Sequence, residues 1–259
     1  MNELHLTPRR LFGFTLHPGT LEDYVGLARS AARRREPVTV LYHNLHSLYL
    51  WFRSDELRRH YAGRTVLVDG MPLIGLLRLA GGRADRSHRV TYVDLIMPLL
   101  RMARDEGLKV YHLGQSAEIQ AIAMQRIRDA LPGIDITGRD GYFDQAPDSS
   151  DSLETIRRVN DNGTSLLLVG FGTPRQEAWL HAHRDRIDAP AVYACGACFE
   201  YVAGAVDTPP RWMGRFGLEW AFRLGENPRR FAFRYLIEPP ILAGYLLRET
   251  LAGRRRSPG

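Results

Sequence analysis

Two cysteines, a single lysine and no apolar run of membrane-spanning length are the scarcities that mark this 259-residue chain. Cysteine occurs only at positions 195 and 198, which is too few for a disulfide framework. The C-G-A-C spacing leaves three readings: a redox pair, half of a zinc site, or two small residues closing a buried strand. A structural zinc takes four ligands, and the sequence offers no second Cys or Cys/His cluster, so the third reading is favoured. The longest apolar stretches fall well short of the about 20 residues that a bilayer span needs. The opening MNELHLTPRRLFGF has neither the apolar core nor the small-residue cleavage site of a secretory signal, and a cytoplasmic location is expected. There is no D-x-D pair, no H-E-x-x-H and no Walker phosphate loop, so a metal-clamped diphosphate finds no support in the sequence. No G-x-G-x-x-G opens the first strand-to-helix turn, which weakens a nicotinamide oxidoreductase reading. No cofactor is expected.

What is present is a chain that is 44% hydrophobic, enough to bury a full core. Strand-length apolar runs at 38–45, 65–70, 109–114, 134–138, 165–172 and 191–199 alternate with helix-period segments near 20–35, 50–61, 71–80, 94–106, 116–130, 151–161 and 174–185. That alternation predicts an α/β fold: a Rossmann-like parallel sheet with helices on both faces. In such folds ligands lie beyond the carboxyl ends of the strands, so polar residues just after strands are the candidates. The alternation stops after Gly204. Residues 211–250 suggest two or three short helices, broken at Asn227-Pro228 and at Glu238-Pro239-Pro240 because proline cannot continue a helix. The expected organisation is an α/β catalytic core over 1–206 and a basic helical C-terminal appendage over 207–259.

The net charge of +6 lies from Arg211 onward, within that appendage. From Arg211 onward there are ten Arg against four Glu, and the first 210 residues balance to zero. Such a segment is attracted to anionic lipid, nucleic acid or a phosphorylated ligand. The apolar blocks FAFRYLI and ILAGYLL suit a lipid surface better than a nucleic-acid backbone, yet a nucleotide- or nucleic-acid-binding module without transferase activity stays as the alternative.

Three polar strand ends stand out. In VGFGTPRQE, Gly170 and Gly172 permit a tight turn, Thr173 and Gln176 have capping-box spacing, and Pro174 fits a first helical turn. This is either a helix N-terminus aimed at a phosphate or a well-capped helix without a ligand. Asp69, closing TVLVDG, is placed either for proton abstraction or for capping the next helix. Asn44 has the same address at the end of VTVLYHNL. Arg89, Arg223, Arg230 and Arg234 are candidate phosphate grips, since guanidinium forks match phosphate oxygens, or else solvated surface charges.

The motifs VDGMP (68–72), HRVTYVDL (88–95), LPGIDITGRDGYF (131–143), VGFGTPRQEAW (169–179), CGACFEYVAGAV (195–206) and GLEWAFRL through NPRRFAFRY (217–235) resemble the WecG/TagA/CpsF bacterial glycosyltransferases, glycosyltransferase family 26. The resemblance implies inverting, metal-independent transfer from a UDP-sugar donor to a sugar on a polyprenyl diphosphate, in cell-surface polysaccharide biosynthesis. It implies Asp69 as catalytic base and Arg89 as a second catalytic residue, with Asn44, Gly172, Pro174, Gln176 and Glu177 as substrate-binding residues. Arg223, Arg230 and Arg234 would belong to a C-terminal segment that closes over the site at an anionic membrane surface, making the protein peripheral at the inner face of the cell membrane. No nucleic-acid partner is implied, and self-association is left open. Family members often carry Thr-x-Asn where this chain has Tyr42-His43-Asn44, Asn-Ala-Asp-Gly where it has Leu67-Val68-Asp69-Gly70, F-D where it has Phe199-Glu200, and R-A-P where it has Thr208-Pro209-Pro210. These departures leave N-acetylmannosamine, its uronic acid or a hexose open as the donor sugar.

Overall fold

A computed structural model describes residues 6–207, Met213 and 218–256, with the side chains of Arg230 and of residues 253–256 outside that description. The side chains of Arg211, Arg215, Arg254, Arg255 and Arg256, and the Thr208-Pro209-Pro210 departure, therefore lie outside the described residues.

The chain opens with a hairpin, β1 (Arg9–Leu11) and β2 (Phe14–Leu16), that the sequence patterning did not announce. It then alternates: α1 (Leu21–Arg34), β3 (Val38–His43), α2 (Leu45–Arg53), α3 (Asp55–Tyr61), β4 (Thr65–Val68), α4 (Met71–Leu79), α5 (Tyr92–Asp105), β5 (Val110–Gly114), α6 (Ala117–Ala130), β6 (Ile136–Arg139), α7 (Ser150–Asp161), β7 (Leu166–Gly170), α8 (Arg175–His183), β8 (Ala191–Ala194) and α9 (Cys198–Val202). Strands β3 to β8 form one parallel sheet in the order β4-β3-β8-β7-β5-β6.

Because successive strand residues point to opposite faces, each strand feeds two cores. Leu41, Val66, Val68, Leu167, Val169 and Val192 face a cluster with Leu48, Trp51, Leu73, Ile74 and Trp179. Val40, Leu67, Leu166, Leu168 and Tyr193 face a second cluster with Tyr24, Leu95, Leu99, Ala123 and Ile127. A sheet buried on both faces needs near-continuous apolar strands, and LLLVG at β7, buried throughout, is the plainest case. The expected helix near 50–61 is two helices, because Ser54 adopts an extended conformation and caps α3 by accepting from the Leu57 N–H at 3.1 Å. The expected strand over 191–199 stops at Ala194. Gly196 takes a left-handed φ of 55° that turns the chain, and Cys198 starts α9.

The C-terminal segment comprises α10 (Glu219–Glu226), α11 (Pro228–Ala232), a π-helical turn (Phe233–Ile237) and α12 (Glu238–Arg256). The break expected at Asn227-Pro228 is present, with Asn227 closing α10. The break expected at Glu238-Pro239-Pro240 is absent. The Glu238 N–H reaches back to the Phe233 carbonyl, and the chain runs through this widened turn directly into α12, which carries both prolines just after Glu238. This helix is tied to the core. Leu242 is 1% exposed within the first cluster, and Tyr245 stacks on Phe52 of α2 with ring centroids 5.5 Å apart.

Candidate active site

The carboxyl ends of β3, β4 and β8, neighbours in the sheet, open into a cleft of about 1220 Å³ that α10 and the segments after it wall from the other side. Asn44 follows β3 directly. It is extended, so its side chain turns back to cap α2, with Oδ1 accepting from the Ser47 N–H at 3.0 Å. Its Nδ2 is left to donate to Asp69 Oδ2 at 3.2 Å. Asp69 follows β4, its N–H donating to the His43 carbonyl at 2.9 Å, so the ladder between β3 and β4 runs up to the carboxylate itself. The next residue, Gly70, has φ of 106°, a conformation closed to most side chains, and it rather than Asp69 occupies the cap position of α4, which has no side-chain cap. The capping role considered for Asp69 is thereby set aside.

Burial pushes the Asp69 pKa above the ordinary carboxylate value; the Asn44 hydrogen bond and the positive charges of Arg223 and Arg89 oppose that rise, and Glu219 reinforces it. Arg89 follows a short 3-10 turn over 86–88, and its guanidinium bonds Asp94 at 3.4 Å and, more closely, Glu219 on α10. Its Nε is buried without a partner among the described residues, as is Nε of Arg223. Arg223 also lies over the Tyr201 ring at 5.5 Å, and Arg234 over the Tyr235 ring at 5.8 Å. A cleft wall with two buried guanidinium N–H donors that find no acceptor among the described residues is suited to an anion. Among the described residues no group of three His, Cys, Asp or Glu side chains comes together as a metal site.

Asn44, Asp69, Arg89, Arg223 and Arg234 therefore line one cleft, while the side chain of Arg230 lies outside the described residues. Gly172, Pro174, Gln176 and Glu177 do not line it. The capping box expected of Thr173 and Gln176 is absent: α8 begins at Arg175 and its first turn has no side-chain cap. Gln176 is 0% exposed and commits its amide to the protein, Oε1 accepting from the Gly196 N–H at 3.1 Å and Nε2 donating to Glu177 Oε1 at 3.0 Å. Glu177, 1% exposed, also accepts from the Thr173 hydroxyl at 3.0 Å on that oxygen, and burial raises its pKa. These residues brace the turn after β8 from behind.

The aromatic part of the wall escaped the sequence reading. Tyr42 and Tyr92 meet edge to face at 5.7 Å, and Tyr201, Trp220, Phe231 and Tyr235 line the cleft opposite. Tyr201 and Trp220 sit inside the quoted motifs CFEYV and LEW, which was the available signal. His46 also lines the cleft and is held by Glu238 at 2.8 Å, linking α2 to α12. Cys195 and Cys198 are free and buried, at the cleft wall.

A family model described as "Glycosyl transferase WecG/TagA/CpsF family" matches residues 9–256. Similar characterised proteins are each named N-acetylglucosaminyldiphosphoundecaprenol N-acetyl-beta-D-mannosaminyltransferase. One from Bacillus spizizenii (strain ATCC 23059 / NRRL B-14472 / W23) is 27% identical over 195 residues, 75% of this chain and 72% of the relative. One from Bacillus subtilis (strain 168) is 28% identical over 167 residues, covering 64% and 62%. One from Staphylococcus aureus (strain NCTC 8325 / PS 47) is 25% identical over 137 residues, covering 53% and 52%. The last two matches span less than two thirds of those relatives' length.

Proposed function

We propose, because the chain belongs to the WecG/TagA/CpsF family of glycosyl transferases, that it moves a sugar from a UDP-sugar to a sugar carried on a polyprenyl diphosphate, with inversion and without a metal. The observation that carries the reading is the convergence of Asp69, braced by Asn44, with Arg89, Arg223 and Arg234 around one cleft at the strand ends. The relatives' names give N-acetylmannosamine as the sugar moved and N-acetylglucosaminyl-diphosphoundecaprenol as the acceptor, and both are proposed here. In a single displacement, Asp69 takes the proton of the acceptor hydroxyl as its oxygen bonds to the anomeric carbon and the bond from that carbon to UDP breaks. The pKa of Asp69, raised by burial, makes it a better proton acceptor than an ordinary aspartate. Negative charge develops on the departing diphosphate, and fixed guanidinium groups supply the stabilisation that a bound cation supplies elsewhere.

The acceptor is a lipid, and no helix of the described residues is long and apolar enough to cross a membrane. Phe233, Leu236 and Leu247 are 54%, 55% and 61% exposed on the C-terminal helices, which carry Arg229 and Arg248 in the same stretch. We assign this surface to peripheral contact with anionic lipid at the inner face of the membrane, so that the cleft meets its acceptor there. Residues 207–259 thereby act as a unit distinct from the core in function, though α12 is packed against α2. The test is UDP release from UDP-sugars in the presence of a short-chain lipid-diphosphate-N-acetylglucosamine. Asp69→Asn should lower kcat by roughly 10²- to 10⁴-fold with little loss of stability; full activity in that variant would remove Asp69 from the chemistry.

A further inference from the structure

Helix α10 presents Glu219 and Arg223 four residues apart, hence on one face, and both enter the cleft. Each meets a core group of opposite charge. Glu219 bonds the Arg89 guanidinium directly, and the positive charge of Arg223 acts on Asp69. The Arg89 side chain is only 14% exposed, while Glu219 is 32% exposed and can withdraw to solvent. A guanidinium so enclosed is costly without an anion, and Asp94, at 3.4 Å and 56% exposed, covers only part of its fork. Glu219 supplies the missing charge through one carboxylate oxygen, and the buried Nε of Arg89 stays unpaired.

We infer that Glu219 is a stand-in for the substrate's diphosphate, a carboxylate that holds Arg89 and is displaced from it when a nucleoside diphosphate enters the cleft. The inference rests on the reading that this cleft binds such a donor. A diphosphate brings more charge than a carboxylate and more acceptor oxygens, so it can reach Nε as well as the fork, which gives the exchange its direction. The exchange also moves a helix terminus. Once Glu219 is released, α10 is retained by Arg223, whose own unpaired Nε can meet the same ligand. The helix would thus pass from a carboxylate-tethered to a ligand-tethered position. Glu219 is accordingly a positioning residue that sets donor affinity by competition.

The experiment compares wild type with Glu219→Gln, a near-isosteric change at a partly exposed side chain that keeps an acceptor for Arg89 and removes the charge. Calorimetric titration with UDP and with inorganic pyrophosphate is read beside amide hydrogen exchange of residues 219–226. The expected result is that both probes bind about two- to fivefold more tightly to the variant, that KM for the donor falls while kcat does not rise, and that α10 amides exchange faster without ligand. Faster exchange with unchanged or weaker UDP binding would make Glu219 a structural tether only and overturn the inference. Unchanged exchange together with unchanged affinity would overturn it as well. If wild type and variant alike bind neither UDP nor pyrophosphate, the donor reading itself falls, and the inference with it.

Discussion

Replacing Gln176 by alanine separates a ligand contact from a buried brace. The side chain is wholly enclosed, and its truncation strands the Gly196 N–H, removes one donor from the buried Glu177 carboxyl and leaves a void beneath the turn. A neutral buried hydrogen bond lost on one side costs about 1–3 kcal/mol, and a donor to an ionisable group costs toward the upper end of that range. Including the void, the sum is about 3–5 kcal/mol. At about 2–4 °C per kcal/mol for a chain of this size, the midpoint should fall by about 6–20 °C. The assay pairs urea unfolding with UDP-sugar kinetics at a temperature where the variant remains folded. The brace demands a large loss of stability and a smaller loss of activity, since Gly196 lies beside Cys195 and Ala197 at the cleft wall. Wild-type stability together with a greatly raised donor KM would refute the reasoning and return Gln176 to the ligand.

Asn44→Ala removes the one side-chain hydrogen bond that lowers the Asp69 pKa against burial, so the acid limb of the kcat/KM profile should move to higher pH, with about 1 kcal/mol of stability lost through the missing cap. An unmoved limb would mean that Asp69 is not the group titrating. His43 and His112 are buried and neutral, their pKa values driven down to about 3 by desolvation. Between about 3 and the unfolded value near 6.5 the unfolded chain binds more protons, so stability falls as pH drops through that window, by about 2 kcal/mol per histidine at pH 5. Urea midpoints at pH 7 and 5 measure this, and His112→Asn should flatten part of the slope.

The sheet was legible because a doubly covered parallel strand has to be apolar throughout, and runs such as Leu166–Val169 leave no other assignment. Asn44 and Asp69 were legible for a related reason: a polar side chain at the end of such a run has no core position to fill. Gln176 and Glu177 have the same address after a strand, yet they do not line the cleft, and their amide and carboxyl bond a glycine turn and each other. Sequence spacing conveys that a residue follows a strand but not which way the first turn of the next helix faces. Asp69, proposed as the base, and Gln176, which braces Gly196, look alike in one dimension. What divides them is Gly70, whose φ of 106° holds Asp69 outside α4, while α8 begins directly at Arg175 and carries Gln176 inward. The Arg89–Glu219 contact was illegible for another reason. It joins positions 130 apart, and neither the charge balance of the appendage nor any local motif records that its helix brings an acid as well as arginines to the cleft. A net charge of +6 pointed toward anions in general; the pairing of Arg89 with Glu219 of α10 names the arginine that, on the inference above, an incoming anion must win.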